Sequence, residues 1–118
     1  MSELTSKEIV KIAVDAMLDK KAGDVKVLDI SNISVIADYF IIADGSNTNQ
    51  IQAIVDNIEE KLHEAGADEP RVEGYNTASW ILLDYNDVII HVFNRDDRLY
   101  YDLDRIWRDG KEITVETL

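Results

Sequence analysis

Two apolar runs joined by Asn86-Asp87 constrain this chain more than any other stretch, because residues 79–93 can bury their side chains as a tight β-hairpin. Asn and Asp both tolerate positive φ, so the pair reads as a two-residue turn. That turn sets Tyr85 against Val88, Leu83 against Ile90 and Ile81 against Val92. Side chains alternate along a strand, so these six residues form one uniformly apolar face, which is core. The other face carries Trp80, Leu82, Asp84, Ile89, His91 and Phe93. Large apolar and aromatic groups beside an acid and an imidazole suit a surface that meets a partner. Trp80 is expected to be exposed there, since the opposite face already supplies core and aromatic anchors are enriched at interfaces.

A chain of 118 residues, 46% of them apolar, is one domain with ample material for a single core. Its 12 Lys and Arg against 24 Asp and Glu leave a net charge of -12. Such a surface repels a phosphate backbone, so direct or sequence-specific nucleic-acid binding is not expected. It is steered instead toward a basic protein, although the same charge also serves solubility. The sequence has no cysteine, which removes disulfides, thiolate chemistry and cysteine-ligated metal sites. The first residues lack a basic-then-apolar leader and no apolar run approaches the ~20 residues of a membrane span, so a cytoplasmic protein without a membrane partner is expected.

Along the chain, Thr5 and Glu8 have capping-box spacing, and Ile9, Ile12, Ala13, Ala16 and Met17 recur at helical spacing to about residue 21, with Gly23 as the stop. Residues 25–30 and 39–43 read as strands. Gly45, Ser46, Asn47 and Thr48 break the second of these and offer caps to a helix bearing Ile51, Ile54, Val55, Ile58 and Leu62, which ends near Gly66. Pro70 opens a short extended segment over 71–74 that leads into the hairpin. Leu99, Leu103 and Ile106 place a last helix over 96–107, capped by Asp96. The expected order is α-β-β-α-β-β-β-α, an α/β (α+β) domain over 1–108 with a single mixed sheet packed with helices, and 109–118 as a loosely held tail.

Candidate catalytic chemistry is sparse. Gly45-Ser46 before a helix could hold an anion on free amides, but it lacks the glycine repeat of a dinucleotide fingerprint and the lysine of a P-loop, and a turn with an N-cap explains both residues. Nucleotidyl transfer needs carboxylates converging on magnesium. Asp84 and Asp87 have the types and positions that shape a turn, while Asp102 and Asp104, on an expected helix, point about 200° apart. His91 has no serine, cysteine or second histidine placed to complete a nucleophilic set and reads as a hydrogen-bonded structural imidazole; His63 reads as solvated. No cofactor and no metal follow from these residues. Among the other aromatics, Trp107 and one of Tyr100 and Tyr101 read as core.

A longer pattern carries more information: Lys20-Lys21-Ala22 with Asp24 and Leu28-Asp29, then Ala37-Asp38-Tyr39-Phe40-Ile41-Ile42 with Gly45-Ser46, then Glu73-Gly74. Trp80-Ile81-Leu82-Leu83-Asp84-Tyr85, Val88-Ile89-Ile90-His91-Val92-Phe93 and Arg98-Leu99-Tyr100-Tyr101-Asp102-Leu103 follow, closing on Trp107. Over about residues 5 to 108 this resembles the ribosomal silencing factor (Iojap) family. Asp104 stands where glutamate is expected and Asp44 where a small hydroxyl residue is common. The resemblance implies a nucleotidyltransferase-like fold without the catalytic carboxylates, hence no enzyme. It implies binding to the large ribosomal subunit through the basic ribosomal protein L-fourteen, which sterically blocks association with the small subunit and represses translation, notably under nutrient limitation. With the hairpin reading, it makes Trp80 the aromatic anchor, Leu82 and Phe93 its apolar surround, Asp84 and Glu73 acidic partners for Lys or Arg, and His91 and Tyr101 lesser candidates that orient neighbours. Family members also self-associate, and the exposed hairpin face could serve a homodimer in the free state. A homodimeric acidic adaptor for another basic protein, or a nucleotide-binding enzyme using Gly45-Ser46, are the competing readings.

Overall fold

The computed structural model describes residues 4–31, 37–76, 79–95 and 111–113. The expected helix over 96–107, with Tyr101, Asp102, Asp104 and Trp107, lies outside them.

Helix α1, Ser6–Asp19, starts as its capping box requires: Glu8 N–H donates to Thr5 Oγ1 at 3.1 Å and Thr5 N–H donates to Glu8 Oε1 at 3.0 Å. Its end departs from expectation. Lys21, not Gly23, takes the left-handed conformation at φ 61, while Lys20, Lys21 and Ala22 N–H close back on Met17 and Leu18 carbonyls. Gly23 instead opens strand β1, Gly23–Asp29, where a side chain would collide with Asp44 Oδ1 of the neighbouring strand. The glycine leaves room for the Asp44 carboxylate and the Arg95 guanidinium beside it, and the turn falls to Lys21.

Strand β2, Tyr39–Gly45, is buried at every position, the pattern of a strand covered on both faces. Helix α2, Thr48–Glu64, is capped by Asn47, whose side chain accepts from Gln50 N–H at 2.8 Å, and Gly66 follows its end at φ 97. Strand β3 is Arg71–Glu73, β4 is Trp80–Asp84 and β5 is Val88–Asn94. The β4–β5 register sets Ile81 opposite Val92 and Leu83 opposite Ile90, as the turn position dictates. Asn86 alone takes positive φ, at 72°; Asp87 does not. The Asp87 carbonyl instead accepts Asp38 N–H and Tyr39 N–H, tying the hairpin turn to the start of β2. The stretch expected as a tail contributes strand β6, Lys111–Ile113, antiparallel to β1.

The sheet order is β3-β4-β5-β2-β1-β6. β2 runs parallel to β5 and every other neighbour is antiparallel, giving a mixed α+β sheet. Both helices pack on one face, where Val10, Ala13, Met17, Ile51, Ile54, Val55 and Ile58 meet Ile41, Ala43, Ile81, Leu83, Ile90 and Val92. Buried Asn57 pins α2 to α1 by donating to the Ala16 carbonyl at 2.9 Å. A second cluster, Leu28, Ile30, Ala37, Phe40, Ile42 and Phe93, occupies the opposite face. No helix among the described residues is long and apolar enough to cross a membrane.

Candidate functional site

Register and alternation place the second hairpin face at the middle of the sheet. Directly opposed residues form rows across it: Glu73, Leu82, His91, Ile42 and Lys26 in one, Arg71, Asp84, Ile89, Phe40 and Leu28 in another, and Trp80, Phe93, Asp44 and Gly23 in a third. The parallel β2–β5 pairing brings Phe40, Ile42 and Asp44 beside the hairpin residues. No local sequence signal could have announced that neighbourhood.

The face is graded in exposure. Glu73 is exposed, and Trp80, Leu82, Asp84 and Ile89 are half-buried. Phe93 and His91 are only 1% and 3% exposed. The exposure expected for Phe93 is therefore not found: the ring belongs to the second core, packed under Trp80 at a centroid distance of 5.3 Å. Phe40 closes the other side of His91 at 4.2 Å. Trp80, expected to be exposed, is half-buried and lies on this aromatic floor, where Phe93 and His91 offer it both stacking area and a hydrogen bond.

Trp80 Nε1–H donates to His91 Nδ1 at 2.8 Å. An indole N–H can only donate, so Nδ1 is the acceptor and the neutral ring carries its proton on Nε2. Burial pushes the imidazole down to about 3, which keeps that tautomer near neutral pH. His91 Nε2 is buried and has no hydrogen-bond partner among the described residues. The orienting role read from the sequence fits this geometry: the imidazole sets the rotation of the indole. Asp84 accepts Asn86 N–H at 2.8 Å through Oδ1, so this acid shapes the turn while its half-exposed carboxylate also borders the face.

At the carboxyl end of β2 the Ser46 amide, one that could have held a phosphate, is occupied. Gln50 Oε1 accepts both Ser46 N–H at 2.7 Å and Ser46 Oγ–H at 2.8 Å. Its Nε2 donates to the Lys20 and Lys21 carbonyls at 3.2 and 3.0 Å, locking the carboxamide in place. Gly45 is required by packing, since a Cβ there would press on Ile51 Cγ1 at 2.8 Å. Asp44, 4% exposed, accepts Arg95 Nε–H at 3.1 Å. Among the described residues no group of three His, Asp or Glu side chains could hold a metal ion. Gln50, Asp44 and Arg95 are the residues that sequence reasoning missed here; the i+4 spacing of Ser46 and Gln50 was the one available signal. His63 is solvated as expected, 75% exposed beside Glu69 at 3.3 Å, and Tyr101 lies outside the described residues.

Residues 3–118 match the family model described as "Ribosomal silencing factor during starvation". The chain is 40% identical over 113 residues to a ribosomal silencing factor of Halalkalibacterium halodurans, covering 96% of this chain and 97% of the relative. It is 42% identical over 107 residues to one from Bacillus subtilis, covering 91% of each. A crystal structure of a Chromobacterium violaceum protein superposes with a TM-score of 0.86 at 33% identity, over 94% of this chain and 92% of that one.

Proposed function

The chain belongs to the ribosomal silencing factor family, and from that premise we propose that it binds the large ribosomal subunit through ribosomal protein L-fourteen and keeps the small subunit from joining. The action is steric. Affinity and position matter, no bond is made or broken, and translation falls when the factor is bound, notably under nutrient limitation. The observation that carries this reading is the half-buried indole of Trp80, oriented by the 2.8 Å bond to His91 on a sheet face that neither α1 nor α2 covers. An aromatic group held in one orientation loses little freedom on docking, which favours it as an anchor.

Around the anchor, Leu82 and Ile89 supply half-buried apolar area, and Glu73 and Asp84 supply negative charge at the rim. Phe93 and His91 act from beneath, as the floor that positions Trp80. Tyr101 is retained as a candidate contact from the sequence reading. A chain of net charge -12 docking on a basic ribosomal protein gains rate and register from complementary fields, and that gain weakens as salt rises. The free protein pairs with a second copy. The nucleotide-enzyme reading loses its footing where Gln50 occupies the Ser46 amide.

Sedimentation with separated subunits tests the proposal. The protein is expected in the large-subunit pellet alone, and Trp80→Ala is expected to weaken that binding about tenfold or more, the size of an aromatic hot spot. Unchanged binding by the variant would remove the hairpin face from the interface. Pelleting with neither subunit would return the partner to another basic protein.

A further inference from the structure

Ile12, Asp15, Ala16 and Asp19 recur at intervals of three and four along α1 and share the side turned to α2, where Lys61, Glu64 and Ala65 face them across a groove of about 550 Å³. The groove opens on the helix layer, on the opposite side of the sheet from Trp80. Its floor is apolar: Ala16 is buried and Ile12 half-buried, and the short alanine side chains leave the space between the helices unfilled. Its charge is uneven. Three carboxylates share the groove with one ammonium, yet Asp15, Glu64 and Lys61 form no ion pair or side-chain hydrogen bond with another described residue. Asp19 is fixed from beneath. Asn57, only 6% exposed, donates through Nδ2 to the Ala16 carbonyl at 2.9 Å and to Asp19 Oδ2 at 3.3 Å, so one buried carboxamide holds two groove-lining residues in place. The same sign continues across α2, where Asp56, Glu59, Glu60 and Glu69 line a second cavity of about 300 Å³ with His63. Partial burial, then Asp56 and Glu69, push the Glu59 carboxyl above its ordinary value, the mark of acids crowded without enough cations.

A groove between two helices with an apolar floor is a seat for a third helix, and an acidic rim selects its charge. We propose that this groove docks an amphipathic helix of a second protein partner, one that lays an apolar stripe on Ile12, Ala16 and Ala65 and sets Lys or Arg against Asp15, Asp19 and Glu64. Other occupants fit less well. A nucleic-acid backbone would bring phosphate to carboxylate, and a second copy of this surface would bring carboxylate to carboxylate. At about 550 Å³ the groove has the size of a small-molecule site, so it takes side chains from about one or two turns of helix and the affinity is modest. The groove and Trp80 lie on opposite sides of the sheet, so one chain can hold this partner and the large subunit together. The groove itself does not depend on the ribosomal reading; only joint occupancy does.

The probe is a synthetic helical peptide with leucines three and four apart flanked by arginines, titrated into the full chain and read by backbone amide NMR shifts. Binding is expected at micromolar peptide, with the shifts centred on Ile12, Ala16 and Ala65. A scrambled peptide of the same composition keeps the charge and loses the stripe, and is expected to bind about tenfold more weakly or worse. Asp15→Lys combined with Glu64→Lys should weaken the arginine peptide about tenfold or more and favour one with glutamates in place of the arginines. Both positions are exposed, and circular dichroism checks that the variant remains folded. Trp80→Ala, on the other side of the sheet, should leave the peptide Kd unchanged, and a loss there would overturn the independence of the two surfaces. Equal binding of the scrambled peptide would reduce the surface to general acidity and overturn the groove. Shifts centred on Trp80, indifference to the charge reversal, or no binding at millimolar peptide would each overturn it as well. The titration contains no ribosomes, so its failure leaves the ribosomal proposal standing.

Discussion

The two faces of the sheet are both apolar, yet α1 and α2 cover only one of them. On the first face Ile41, Ile81, Leu83, Ile90 and Val92 are each fully buried beneath α1 and α2. On the second, Leu28, Phe40, Ile42 and Phe93 form an equally dry floor, but His91 and Asp44 are buried among them and Trp80 lies half-covered at the margin. The difference separates two uses of hydrophobic area. The helix-covered face, aliphatic but for Tyr39 and Tyr85, stabilises the fold, although Tyr85 Oη is buried there without a hydrogen-bond partner among the described residues. A face that buries an imidazole whose Nε2 has no partner among the described residues accepts a cost in stability in order to hold one aromatic group in place.

Leu83→Ala should have the largest effect. It empties a fully buried site on the helix-covered face and is expected to lower unfolding free energy by about 2–5 kcal/mol in urea titration. Ribosome binding should fall only to the extent that the protein unfolds. A loss below about 1 kcal/mol would mean that this face is as tolerant as the other.

His91→Gln sharpens the contrast through pH. The native imidazole takes up its second proton only as pH falls to about 3, whereas the unfolded one takes it up below its ordinary value near 6.5. The unfolded state therefore binds more protons in between, so this group's contribution is complete above about pH 6.5 and declines as pH falls toward 3, by at most ~1.4 kcal/mol per unit. Glutamine can still accept from Trp80 but does not titrate, so the variant's stability curve should be flatter than the wild type's between pH 6 and 4. Parallel curves would show that His91 does not protonate on unfolding. Trp80→Ala comes next: a stability change of about 1–2 kcal/mol, less than at Leu83, alongside the binding loss already described. Smallest is Asp84→Ala, which removes the acceptor of Asn86 N–H and one rim charge. It is expected to cost about 1 kcal/mol of stability and to flatten the salt dependence of subunit binding.

Much of the fold was legible because its signals are local. Thr5 and Glu8 announce the start of α1 within one turn, and Asn86 with the alternation around it gives the register from Trp80↔Phe93 to Asp84↔Ile89. The end of α1 was misread because glycine has two uses, and Gly23 is spent on clearance beside Asp44 while Lys21 takes the left-handed turn. Strand β6 was missed because three residues carry too weak a pattern to stand out without the β1 edge they join. At the site, alternation named Trp80, Leu82, Asp84, His91 and Phe93 as one face correctly. It could not tell that Phe93 and His91 would be buried, since periodicity says which side chains share a side and nothing about what lies over them. Gln50 was passed over as one polar residue among many on α2, and its role depends on the Lys20 and Lys21 carbonyls, which come from another element.

By itself the sequence determined the hairpin and its register, the apolar stripes of both helices, the acidic charge and the family. Each depends on the kind and spacing of residues within a few positions, where stereochemistry and side-chain alternation leave few choices. Only the tertiary structure decided that β2 enters beside β5 in parallel, so that Phe40 and Ile42 complete a floor under Trp80, that Gln50 fills the turn after β2, and that β3 is left as an open edge. Those outcomes join residues far apart in the chain, and they follow from the summed burial of many side chains that no local pattern contains.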